Sequence, residues 1–213
     1  MRFTVDGGRM YASGHPDPHT TTDANLGLIA SADQGTTWQT VSLKGQADFH
    51  DLDVAHEASG MVTVYGFDAG SGLIRVSRDG GATWANGATI ALRDFAADPI
   101  TAGTVFATTA DGMMVSRNFG ATFSPLTDAP SLYLIAAMTG SPVGILIGVD
   151  VGGSIWAKSA GQPWRATGAA QGQVDAIVYS GGAQPVLLLA DERGIVTSSN
   201  LSSTWKTVVT LSR

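Results

Sequence analysis

The sequence predicts an all-β fold, a β-propeller of five four-stranded antiparallel blades, on three observations. An aromatic residue follows a short polar turn five times, at Trp38, Trp84, Phe123, Trp164 and Trp205, at intervals of 46, 39, 41 and 41 residues. A period of about 40 residues holds four short strands and their turns, the content of one blade. Between the turns, β-branched and apolar residues alternate with polar ones over strand-length runs. The 27 glycines in 213 residues supply the hairpins that so many strands require.

The turns align. Residues 31–38, 77–84 and 116–123 all fit S-x-[DN]-x-G-x-T-[WF]: Ser31, Asp33, Gly35, Thr37 and Trp38; Ser77, Asp79, Gly81, Thr83 and Trp84; Ser116, Asn118, Gly120, Thr122 and Phe123. Asp or Asn accepts the N–H groups that a tight turn exposes, Gly takes positive φ, and Thr with the aromatic restarts a strand, the ring packing beneath the hairpin. Two worn copies, 157–164 and 198–205, keep the aromatic in register.

With each turn placed between the third and fourth strand of a blade, the other strands follow. Blade one reads 2–5, 10–13, 26–31 and 38–43. Blade two reads 49–55, 61–67, 73–77 and 83 onward, and blade three 94–97, 104–108, 113–116 and 123 onward. In blades four and five the second strands, 144–149 and 186–190, are near-continuous apolar runs, the pattern of strands buried on both faces. One domain spans 1–213, with blades at about 1–44, 45–90, 91–128, 129–170 and 171–213. Two architectures fit: a closed, monomeric five-bladed ring, or most of a larger propeller with further blades upstream.

The turn motifs resemble the Asp-box, or BNR, repeats of sialidases, sortilin-type receptors and photosystem II assembly factors. That resemblance implies a structural hairpin on the face away from any ligand. A second resemblance runs through 11–16, 26–31, 47–50 and 65–68, which are similar to exported bacterial BNR proteins labelled glycosyl hydrolases. It implies an extracytoplasmic location, although Met1-Arg2-Phe3 leads into a strand rather than an export signal. The sialidase set is missing: there is no Arg-Ile-Pro, and the only glutamates are Glu57 and Glu192.

Composition narrows the partners. Twelve Lys and Arg against 18 Asp and Glu give a net charge of −6, which disfavours a nucleic acid backbone. No apolar run is long enough for a transmembrane helix, and the absence of Cys excludes disulfides, thiolate metal sites and Cys nucleophiles.

In a propeller, the loops joining second to third strands open on the same face as the blade junctions, and ligands bind there. Those segments carry His15, His19, Asp68, Asp111, Asp150, Asp191 and Arg193, with Asp48, His50, Arg93, Asp94, Tyr133 and Asp175 at the junctions. The mouth is therefore acidic. His15, His19 and His50 lie on adjacent segments and form a candidate site for a divalent metal such as Zn, Cu or Mn. Asp48, Arg93, Asp94, Tyr133, Asp191 and Arg193 are candidate contacts for a small polar ligand, a glycan or a protein segment. Asp68, Asp111 and Asp150 are the candidate carboxylates if the mouth hydrolyses a glycoside, which needs two facing acids. His56 falls in a turn on the opposite side.

Overall fold

The computed structural model describes residues 2–17, 19, 23–56, 60–141 and 144–210. Within them the chain is all-β: five four-stranded antiparallel sheets, each a meander in chain order, the blades of a β-propeller. Blade one is β1 (Arg2–Asp6), β2 (Arg9–Ser13), β3 (Leu28–Ser31) and β4 (Gln39–Ser42). Blade two is β5 (Phe49–His56), β6 (Val62–Asp68), β7 (Leu73–Ser77) and β8 (Ala85–Thr89). Blade three is β9 (Leu92–Ala97), β10 (Val105–Thr109), β11 (Gly112–Ser116) and β12 (Ser124–Pro125). Blade four is β13 (Leu132–Ala137), β14 (Gly144–Asp150), β15 (Ser154–Ser159) and β16 (Arg165–Ala169). Blade five is β17 (Ala176–Ser180), β18 (Val186–Asp191), β19 (Gly194–Ser198) and β20 (Lys206–Val209).

Where strand limits differ from those expected, a local cause is visible. β3 starts at Leu28 because Gly27, at φ +64°, lies so close to the Leu43 backbone that a Cβ there would collide with it. β12 is two residues long, and its Pro125 has no N–H to give the ladder. β14 is mostly buried, as its apolar run predicts, whereas burial alternates along β18. Leu188 of β18 pairs with Val178 of β17, which is 53% exposed, so this face of blade five stays open.

The chain forms two compact units, Met1–Leu92 with Ala102–Val105 and Ser116–Phe123, and Arg93–Thr101 with Phe106–Val115 and Ser124–Arg213. In the first, Tyr11, Leu28, Phe49, Leu52, Val54 and Val64 form a core against which Trp84 packs. In the second, Ile147, Val149, Ile155, Leu187, Leu189 and Val196 form one cluster, while Phe106, Met113, Leu132, Ile135 and Leu146 form another with Trp156 and Trp164 against it. Each such side chain contributes about 1.5–3 kcal/mol by leaving water.

The repeated turn is a hydrogen-bonded device. Ser31 Oγ donates to Asp33 Oδ1 (2.7 Å) and accepts from Gly35 N (2.9 Å), while Thr37 donates through N (2.9 Å) and Oγ1 (2.6 Å) to the Asp33 carboxylate. Ser77, Asp79, Gly81 and Thr83 repeat it, and their Asp33 and Asp79 carboxyls are held down at about 2, chiefly by the Thr hydroxyl and N–H. In blade three Asn118 replaces Asp and the Thr122 hydroxyl becomes the acceptor for its Nδ2 (2.9 Å). The worn copy in blade five keeps the same network through Ser198, Asn200, Ser202 and Thr204, with Ser202 at φ 71° in the glycine position.

The same turn also grips the preceding blade. Trp84 Nε1 donates to Ser42 Oγ on β4 (2.9 Å) as well as to Gly81 O (3.0 Å). Ala88 N on β8 donates to Gly120 O (2.8 Å), and Ser202 Oγ meets Thr167 Oγ1 on β16 (2.8 Å). A Cβ on Gly81 would collide with Leu28, so only glycine fits there, whereas one on Gly161 in blade four would meet nothing within 4 Å.

Candidate functional site

Two neighbourhoods collect the predicted residues, one in each unit. In the first, the loop after β2 brings His15 to the junction that precedes β5. His15 Nδ1 lies 3.1 Å from Ala24 O, and its Nε2 stands 3.7 Å from Asp48 Oδ1. His50 Nε2 lies 3.0 Å from Asp48 Oδ2. A register shift between Phe49 and Asp51 sits at His50, and the buried Phe49 anchors the strand there. Such a bulge re-aims a side chain. His19 is exposed and outside this group; its N–H donates to Asp17 Oδ1 (2.8 Å). His56 ends β5 and is exposed.

Three mouth aspartates are structural clasps. Each ends the second strand of its blade, where the chain turns and leaves N–H groups without partners. Asp68 accepts from Asp48 N (3.2 Å), Ser71 Oγ (2.7 Å) and Arg75 Nη2 (2.7 Å). Asp150 accepts from Gly152 N, Ser154 N and Trp156 Nε1, all at 2.9 Å. Asp191 accepts from Gln171 N (2.9 Å), Arg193 N (2.9 Å) and the Arg193 guanidinium, which lies over the Trp205 ring. Burial pushes all three carboxyls up, but these donors outweigh it and hold them below the usual carboxylate value. These bonds tie Asp68, Asp150, Asp191 and Arg193 to the loops around them, and Asp150 also lines a cleft in the second unit. Asp94 is buried too, its Oδ2 accepting from Ile135 N (2.8 Å). Asp111 alone among the three candidate acids is exposed, in the β10–β11 turn.

In the second unit, the first residues of β9 and β13, the β14–β15 turn and the junction before β17 line a cleft of about 520 Å³. Arg93, Tyr133, Asp150, Val151, Gly172 and Val174 line it. Tyr133 is fixed by donating its hydroxyl to Val174 O (2.7 Å), and burial raises its phenol above the ordinary value. The Arg93 guanidinium is exposed and makes no hydrogen bond or ion pair among the described residues, so it is available to a ligand. Val151 is 78% exposed at the rim.

No family model matches the chain, and no curated protein matches it. Solved structures do. YCF48 bound to a D1 peptide superposes with a TM-score of 0.56 at 15% identity over 99% of this chain and 68% of that one. The GH74 xyloglucanase of Xanthomonas campestris gives 0.59 at 16% identity over 93% of this chain, but this chain spans only 35% of the enzyme. A nidogen/laminin complex gives 0.64 at 14% identity, over 94% of this chain and 74% of the matched one. At these identities the likeness establishes the propeller fold.

Sequence reasoning weighed tight-turn chemistry against a ligand role for Asp68, Asp150 and Asp191, which all close an apolar run and precede a glycine within three residues, but it did not identify the donors each one holds. It placed the blade junctions on the ligand face but did not single out Gly172 and Val174, whose part in the cleft depends on segments distant in sequence.

Proposed function

We propose that the chain is a ligand-binding propeller that holds a carboxylate-bearing segment of a protein partner in the cleft at Arg93. The observation that carries this reading is the exposed Arg93 guanidinium, without a hydrogen bond or ion pair among the described residues, in a cleft that apolar Val151 and Val174 also line. Guanidinium chelates a carboxylate through two parallel hydrogen bonds, and neighbouring apolar surface selects what the carboxylate is attached to. Two structural neighbours were solved with protein or peptide partners, which supports the class of ligand. The turn network supports reading the repeats as Asp-boxes with a structural role.

A hydrolase reading draws on the GH74 neighbour, but its chemistry needs one acid kept protonated opposite a second carboxylate. Asp68 and Asp150 are both held ionised by several donors. The test measures fluorescent acidic, neutral and basic octapeptides against the wild type and Arg93→Ala by anisotropy. Acidic peptides bind and Arg93→Ala weakens them about tenfold or more, since a charge-assisted hydrogen bond contributes about 1.5–3 kcal/mol. Equal binding of all three classes, or release of reducing ends from xyloglucan that Asp111→Asn abolishes, overturns the proposal.

A further inference from the structure

We infer that His15, Asp48 and His50 form a divalent transition-metal site in the first unit, separate in residues and chemistry from the Arg93 cleft. One donor atom from each lies within 4.8 Å of the others. A tetrahedral ion with bonds of about 2.0–2.1 Å sets its donors roughly 3.4 Å apart. His50 Nε2 lies 3.0 Å from Asp48 Oδ2 and His15 Nε2 lies 3.7 Å from Asp48 Oδ1, so the carboxylate presents one oxygen to each imidazole at separations near that spacing.

The surroundings prepare the donors. When His15 Nδ1–H donates to Ala24 O, Nε2 keeps its lone pair and faces Asp48, the outer hydrogen bond that orients metal-bound imidazoles elsewhere. The Asp48 backbone is fixed on both sides, its N–H donating to Asp68 Oδ1 and its carbonyl accepting from Ala69 N (2.9 Å). As alternate residues about the bulge, Asp48 and His50 both reach the group.

An independent observation points to a missing partner. Asp48 Oδ1 is shielded from solvent and has no hydrogen bond, and at 3.7 Å from His15 Nε2 it is too far to make one. Such an oxygen is costly to leave unpaired, and a cation between it and the two imidazoles would satisfy it. The His15 and His50 side chains are 62% and 60% exposed, so a further coordination position opens to water. Two imidazole nitrogens with one carboxylate oxygen favour Zn²⁺ or Cu²⁺ over Mg²⁺ or Ca²⁺, which prefer all-oxygen shells. Relative to the expected trio of histidines, Asp48 takes the place of His19.

Isothermal titration of chelator-treated protein with ZnCl₂, and Cu²⁺ electron paramagnetic resonance, test the site in the wild type and in His15→Ala, His50→Ala, Asp48→Asn and His19→Ala. One ion binds per chain with nitrogen hyperfine structure from two imidazoles. His15→Ala and His50→Ala weaken it at least tenfold and leave one imidazole coupled, Asp48→Asn weakens it while keeping both, and His19→Ala changes neither. Circular dichroism confirms that each variant is folded. No binding, binding undiminished in the His15→Ala/His50→Ala double variant, or an equal response to MgCl₂ overturns the assignment. Loss of the Arg93 cleft's ligand leaves this result unaffected.

Discussion

Replacing Trp84 by Ala removes a side chain that serves two blades at once. The indole is half-buried against the Phe49 ring at a centroid distance of 5.0 Å, and it donates to both Ser42 Oγ and Gly81 O. An indole of this kind buries on the order of 100–150 Å², about 2.5–4 kcal/mol at 25 cal/mol per Å². Residual cavity and the lost aromatic pair act in the same direction, so Trp84→Ala destabilises by about 3–4 kcal/mol. In a chain of this length that lowers Tm by about 6–16 °C. Trp84→Phe keeps a ring but loses the donor, costing about 1–2 kcal/mol, and Trp38→Ala, at a position already 38% exposed, costs less than Trp84→Ala. Urea titration followed by far-ultraviolet circular dichroism, alongside calorimetry, measures all three. A loss below about 1 kcal/mol for Trp84→Ala, or no loss for Trp84→Phe, refutes the two-blade role.

Two further predictions concern the turns. Because the Asp79 carboxyl is held at about 2, below its unfolded value, its contribution is present above about pH 4 and fades as pH falls toward 2. Asp79→Asn therefore lowers Tm at pH 7, and the gap to wild type closes between pH 4 and 2 in a calorimetric pH series; a gap that widens in acid contradicts this. Gly81→Ala, which drives a Cβ into Leu28 at φ +97°, destabilises by more than about 3 kcal/mol, while Gly161→Ala, at φ +67° in open space, costs only the backbone strain of about 1–2 kcal/mol. Equal melting temperatures for the two variants would show that the close packing at Gly81 is not what selects glycine.

The blade count and nearly every strand were legible because the repeated turn supplies a ruler: once Trp38, Trp84, Phe123, Trp164 and Trp205 are aligned, alternation locates the rest. Trp84 was legible as a packing residue but not as a tie to Ser42, 42 positions away, since that contact belongs to neighbouring blades. The mouth was harder. An aspartate before a glycine reads alike whether it awaits a ligand or closes its own turn, and only the donors around Asp68, Asp150 and Asp191 separate the two. Asp48 and His50 were readable as mouth residues, while the bulge at His50 and the Ala24 carbonyl behind His15 lie beyond any local pattern.

The unequal grip of the turns has a bearing on how such a chain tolerates growth. At Gly81, Gly120 and Ser202 the turn is wedged against the blade before it, so added residues would prise two blades apart. At Gly161 a new side chain would meet no atom within 4 Å, and the flanking turn closes on itself through Gln162 N to Ser159 O (3.1 Å). At Gly161 blade four therefore offers a place where an added loop meets no neighbouring atom, as long as Trp164 keeps its packing on the cluster of Phe106 and Met113.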